Sequence, residues 1–194
     1  SITGDIESTN GKGMGLSVGL RRDRWFSVLA LQTGSYDFDD KQPIYDDEVI
    51  RDDESSLTVD SGFFSIGVGY QFNPYFALQG GFKSHGQTWE NSNREITYVG
   101  LGIGATGFYP LSKTWTLYGT LGLNSMTIED DSGNNIGDAG SSSLELGAAY
   151  RLTPVSSLSF GFKNEAVVAE FDSGNEQEHN LANLFIGYNH GIRF

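Results

Sequence analysis

Most of the chain alternates large apolar residues with Gly, Ser, Thr or Asn at a two-residue period. Such a pattern puts one residue class on each face of a β-strand. Met14, Leu16, Val18 and Leu20 are interleaved with Gly13, Gly15, Ser17 and Gly19, and Phe64, Ile66, Val68, Tyr70 and Phe72 with Ser65, Gly67, Gly69 and Gln71. Phe76, Leu78 and Phe82 oppose Ala77, Gln79 and Lys83, while Val99, Leu101 and Ile103 oppose Gly100, Gly102 and Gly104. Trp115, Leu117, Leu121 and Leu123 share a face, as do Leu144, Leu146, Ala148, Tyr150 and Leu152. Leu158, Phe160 and Phe162 form another apolar row, and Leu184, Ile186, Tyr188, Ile192 and Phe194 the last. Between Trp25 and Tyr36 the phase is ambiguous, since Leu29 and Leu31 oppose Phe26, Val28 and Ala30.

A soluble β-sandwich also alternates, but its outward face is richly charged. Here the small face suits a narrow interior, and the large face runs for roughly 9–12 residues, about what a tilted strand needs to cross a bilayer. Aromatic residues gather where strands meet short connections: Trp25, Phe26, Tyr70, Phe72, Tyr75, Phe76, Tyr109, Trp115 and Phe194. Rings of that kind favour the headgroup level of a membrane. Open sheet edges are not tolerated in a bilayer, so the expected architecture is all-β, a closed antiparallel transmembrane β-barrel. With 194 residues the chain has length for one domain, 1–194, and with no Cys it carries no disulfide, thiolate metal site or thiol nucleophile.

The charge is unevenly placed. Ten acids against Lys41 and Arg51 fill a long loop, 37–60, and further acids sit at 5–7, 90–95, 129–138 and 170–178. These segments carry −19 of a chain total of −13, so the remainder is about +6. Nucleic acid, whose phosphates need a basic face, is excluded as a partner. Four connections are short (21–24, 73–75, 110–114 and 153–156), and four others read as long and acidic. In outer-membrane barrels the short side faces the periplasm.

GVGYQFNPYFALQGGF, residues 67–82, resembles the strand–turn–strand hairpin of the OmpA/OmpX-type small outer-membrane β-barrels. GYNHGIRF, residues 187–194, is similar to the C-terminal signal of that class, a final aromatic behind alternating hydrophobics. Weaker copies of the hairpin recur as GLSVGLRRDRWFSVLAL, GIGATGFYPLSKTWTLYGTLG and LGAAYRLTPVSSLSFGF. The resemblance implies residence in the bacterial outer membrane, contact with its lipid and lipopolysaccharide, and insertion by the barrel-assembly machinery. It implies no cofactor and no functional residues, because such barrels share a scaffold rather than a site. No signal peptide opens the sequence, as expected for a mature or trimmed chain.

Nine strands can be counted, whereas single-chain bacterial barrels have even numbers. Ten are expected if a first strand lies upstream of Ser1, and eight if the N-terminal part, including the polar segment 1–10, packs elsewhere. An incomplete barrel would leave an open edge for a protein partner.

Lys83, Glu145, Arg151, Lys163, Glu165 and Arg193 fall on the interior face, with His85 near a loop. They are expected to form a lumen charge network that fills and locks a narrow bore, since unpaired buried charge is too costly to keep. Trp25, Tyr70, Phe72, Tyr75, Tyr109, Trp115 and Phe194 are the expected interface aromatics. No catalytic residue is assigned. Asp37-Phe38-Asp39 is half of an outer-membrane protease pattern without its Asp-His couple, Ser84 and His85 point to opposite faces, and His179 and His190 lack an obvious Ser partner. Asp130-Asp131-Ser132-Gly133-Asn134-Asn135 has calcium-binding residue types without the EF-hand spacing, and no metal site is assigned. The expected function is non-enzymatic: envelope integrity, adhesion or partner binding through acidic loops. A narrow channel or a subunit of a larger assembly are the alternatives.

Overall fold

Each alternating run forms a strand. The structure, a computed structural model, describes residues 3–39, 44–45, 48–49, 56–89 and 95–193, with side chains over 11–37, 58–88 and 95–192. The strands are β1 (Thr3–Arg22), β2 (Trp25–Asp39), β3 (Ile44–Tyr45), β4 (Glu48–Val49), β5 (Ser56–Asn73), β6 (Phe76–Trp89), β7 (Glu95–Pro110), β8 (Trp115–Glu129), β9 (Asn135–Arg151), β10 (Ser156–Phe171) and β11 (Glu176–Arg193). β3 and β4 make a small hairpin within the first long connection. The other nine close into a barrel in the order β1-β11-β10-β9-β8-β7-β6-β5-β2.

The closure corrects the sequence expectation in two respects. The ring holds the nine strands counted in the sequence, with neither an added tenth nor a displaced first, and it is not antiparallel throughout. Consecutive strands of a meander reverse direction, so in an odd ring the first and last run the same way. β1 therefore pairs with β11 in parallel, from Thr3 against Glu176 to Arg21 against Arg193, with a register shift between Glu7 and Lys12. The remaining neighbours in the ring are antiparallel. Segment 3–10, read as a polar N-terminal stretch, is part of β1 and pairs with both β11 and β2. Among the described residues the barrel strands close into a complete ring.

Two of the expected long loops are tight turns. Strands β8 and β9 continue to Glu129 and from Asn135, and β10 and β11 to Phe171 and from Glu176. Gly133 and Gly174 take φ of 79° and 82° to reverse the chain, a conformation that only glycine adopts without cost. In the first of these turns the Asp130 carboxylate accepts the backbone N–H groups of Ser132 (2.9 Å) and Asn134 (2.8 Å) and the Asn134 amide (2.9 Å). Its oxygens are used as a turn cap. At the opposite end Asn73 Oδ1 accepts the Tyr75 N–H at 2.8 Å, and Ser112 Oγ accepts that of Trp115 at 3.0 Å.

The barrel strands run 14 to 20 residues, more than the 9–11 or so a membrane requires. Near the short turns the outward face is an apolar belt that includes Leu20, Leu31, Ile66, Leu101, Ile103, Leu146, Phe160 and Ile186. Leu101 and Leu184 are each 69% exposed, which an aqueous surface would penalise and a lipid surface does not. Towards the other end the polarity inverts. Ser125, Thr127, Asp138, Glu170 and Glu178 face outward, while Ile96, Tyr98, Met126, Ile128, Ala139, Val167, Ala169 and Phe171 pack inside as one buried cluster. The barrel is thus a membrane segment continued by a tower with a buried apolar cluster of its own.

Candidate functional site: a lumen with one closed end

The tower core closes one end of the bore. Beneath it lies a plate of ionic groups at the level where the apolar belt ends. Lys83 on β6 contacts Glu165 Oε1 on β10, and Lys163 Nζ lies 3.3 Å from Glu165 Oε2. Ser141 donates to the same Oε1 at 3.0 Å and receives a hydrogen bond from Asn124 at 2.7 Å. The Phe63 ring lies 4.6 Å from Lys163 Nζ and 5.3 Å from Lys83 Nζ, supplying a cation–π surface where a second carboxylate is not at hand. On the tower side His85 stacks on Phe63 at 3.9 Å, and Tyr98 lies between His85 and His179.

Below the plate the bore is hollow and polar. A cavity of about 350 Å³ is lined by Gln32, Gln79, Thr120, Glu145 and Asn189, among others. A second of about 270 Å³ reaches the undersides of Lys83 and Lys163, and a third of about 570 Å³ lies at the short-turn end beside Arg21, Arg151 and His190. Gln79 and Glu145 line both the first and second cavities, and Ser17 and Tyr118 both the first and third, so the three follow one another along the bore as a vestibule.

The six interior charges named from sequence are therefore divided. Lys83, Lys163 and Glu165 come together. Glu145 lies lower, hydrogen-bonded to Tyr118, and Arg151 stands at the mouth. The Arg193 side chain lies outside the described residues. Of the interface aromatics, Trp25, Tyr70, Phe72, Tyr75, Tyr109 and Trp115 all sit at the short-turn end. Trp25 packs edge-on to Tyr70 at 5.1 Å, Tyr70 to Phe72 at 5.0 Å, and Trp115 against Tyr150 at 4.9 Å. Phe194 lies outside the described residues. Phe26 belongs inside instead: its ring covers Gly69, where a Cβ would come within 2.2 Å of it.

His85 faces inward and Ser84 outward, as strand geometry requires. His190, which the sequence left without a serine, has one: Ser156 Oγ lies 2.9 Å from its Nδ1, and Tyr188 donates to that hydroxyl at 3.1 Å. The two residues are register partners on β10 and β11, 34 positions apart, which no spacing rule reveals. Among the described residues no carboxylate is hydrogen-bonded to His190, so the pair lacks the orienting member of a catalytic triad. Asp37 is exposed and accepts a hydrogen bond from Thr58 at 3.2 Å. Among the described residues no three His, Cys, Asp or Glu side chains converge on a metal position.

A lipid-facing belt, an aromatic girdle and a closed ring are the marks of a barrel that lives in a membrane. The family model for the outer membrane protein β-barrel domain matches residues 27–189, which takes in β3 to β10 whole and most of β2 and β11. The chain belongs to that family. This outer-membrane barrel therefore resides in the bacterial outer membrane, with its short-turn end periplasmic by the rule for the class. No curated protein matches it. Two solved structures of an outer-membrane protein, OmpT of Vibrio cholerae, are similar at low level. The outer-membrane-expressed form is 15% identical with a TM-score of 0.31, covering 75% of this chain and 46% of that one. The in-vitro folded form is 13% identical with a TM-score of 0.30, covering 77% and 52%. The chain spans about half the length of these structures, and neither likeness bears on its activity.

Proposed function

We propose that this outer-membrane barrel is a non-enzymatic, non-conducting surface protein whose acidic tower serves envelope integrity, adhesion or the binding of a partner. The observation that carries the reading is the buried cluster of Ile96, Tyr98, Met126, Ile128, Val167 and Phe171, which fills the tower and separates the vestibule from the outside. A bore packed with side chains has no continuous water column, and a narrow barrel has little room to make one. The hairpin at 67–82 supports a kinship with OmpA/OmpX-type barrels as the finer assignment within the family.

A narrow channel for ions or small solutes is the second reading, favoured by the hollow polar vestibule. Planar-bilayer recording separates the two. The wild-type protein is expected to give no steady conductance steps, and a Tyr98→Ala/Phe171→Ala variant, which empties the centre of the plug, is expected to give them. Steps from the wild type equal to those of the variant would replace the first reading by the second.

A further inference from the structure

The periplasmic mouth of the vestibule has an electrostatic character of its own. Arg21 on β1 and Arg151 on β9 both line the cavity of about 570 Å³, and among the described residues no Asp or Glu does. Arg21 is held there by its turn, its Nε donating to the Asp23 carbonyl oxygen at 3.0 Å. Thr116 and Ser157 share the wall. Around it, among the described residues, the short-turn rim carries Arg22, Arg24 and Lys113, all exposed, and the acid Asp23. Glu145, the next carboxylate up the bore, lines the upper cavities and is engaged by Tyr118.

Two guanidiniums from strands three places apart in the ring, lining one cavity with low-dielectric walls, focus a positive potential within it. Each guanidinium offers parallel N–H donors, and the three or four oxygens of a phosphate-type group can be shared between two such forks. We propose that the periplasmic mouth is a binding site for a phosphate-type oxyanion, clasped by Arg21 and Arg151 and neighboured by Thr116 and Ser157. The phosphate belongs either to an anionic phospholipid headgroup of the inner leaflet, since the mouth is level with the aromatic girdle at Trp115 and Tyr150, or to a soluble periplasmic phosphate ester. The inference is independent of whether the barrel conducts.

The test is titration calorimetry on the full chain folded in dodecyl maltoside micelles, which carry no phosphate. Glycerol 3-phosphate is expected to bind the wild type, glycerol is not, and an Arg21→Gln/Arg151→Gln variant is expected to bind at least about tenfold more weakly. Far-UV circular dichroism and an unchanged thermal unfolding midpoint establish that the variant is folded. A parallel titration in phosphatidylglycerol nanodiscs identifies the source. Loss of the glycerol 3-phosphate heat there assigns the site to the lipid headgroup, and its persistence assigns it to the soluble ester. The proposal fails if the wild type gives no heat in micelles, if glycerol gives the same heat, or if the folded variant binds as tightly as the wild type.

Discussion

Glu165 is 2% exposed and holds two ammonium groups that are themselves about 15% exposed. Breaking a buried ion cluster from the side of its shared anion leaves both cations facing each other. Glu165→Gln is therefore expected to destabilise the barrel by about 3–5 kcal/mol, read as a lowered urea midpoint by tryptophan fluorescence. Adding Lys83→Met and Lys163→Met to the same chain should recover most of that loss, because the charges then leave together. At the surface, Asp130 has its pKa held below the ordinary carboxylate value by hydrogen bonds, those from Asn134 foremost. A group whose folded-state pKa is depressed adds stability above its unfolded-state value and loses it as pH falls through the folded one. The Asn134 side-chain amide signal is thus expected to be constant from neutral pH down to about pH 4 and to shift only below it, as followed by NMR.

At the scale of the strand, the inversion of polarity organises this molecule. On β7 the outward Leu101 and Ile103 have odd numbers, whereas the inward Ile96 and Tyr98 have even ones. β8 shows the same exchange between Leu121 and Leu123 outside and Met126 and Ile128 inside, and β10 between Phe160 and Phe162 outside and Val167 and Phe171 inside. The exchange is written in the sequence; the ambiguous phase of β2 has a different cause, since Phe26, Val28 and Ala30 face inward at the same level at which Leu29 and Leu31 face outward. Alternation alone does not say where solvent changes from lipid to water, so the tower core was not legible as a core. The close packing of small inward residues under large ones also belongs to this scale. A methyl at Gly69 would come within 2.2 Å of the Phe26 ring and 2.7 Å of the Leu78 carbonyl oxygen. Gly69→Ala is expected to cost about 1–3 kcal/mol by the same urea measurement, and Gly62→Ala, where nothing lies within 4 Å, far less.

At the scale of the whole barrel, an odd ring makes a directly checkable statement about its seam. Ser17 and Asn189 are register partners across the parallel β1–β11 pair, and Ser17 Oγ donates to Asn189 Oδ1 at 2.6 Å. In a chain without native cysteine, a Ser17→Cys/Asn189→Cys pair is expected to oxidise to a disulfide in the folded protein, seen as a mobility shift reversed by reductant. A Ser17→Cys/Ser157→Cys pair, which lies on strands not adjacent in the ring, should stay reduced if β1 and β11 close as described.

The period of two, the small interior face, the girdle and the placement of acids were decided by sequence, because a membrane allows strands only as a closed and amphipathic ring. The inward direction of Lys83, Lys163 and Glu165 was legible because on a strand parity fixes the face. Which interior charges meet was not. Lys83 and Glu165 are 82 residues apart, and Glu145, a register partner of Lys163, turns to Tyr118 instead. Ser156 and His190, the parallel seam and the gathering of Arg21 with Arg151 likewise depend on how nine strands are staggered around the ring. That stagger is set by closure, a constraint that acts on all strands at once and on no single stretch of sequence.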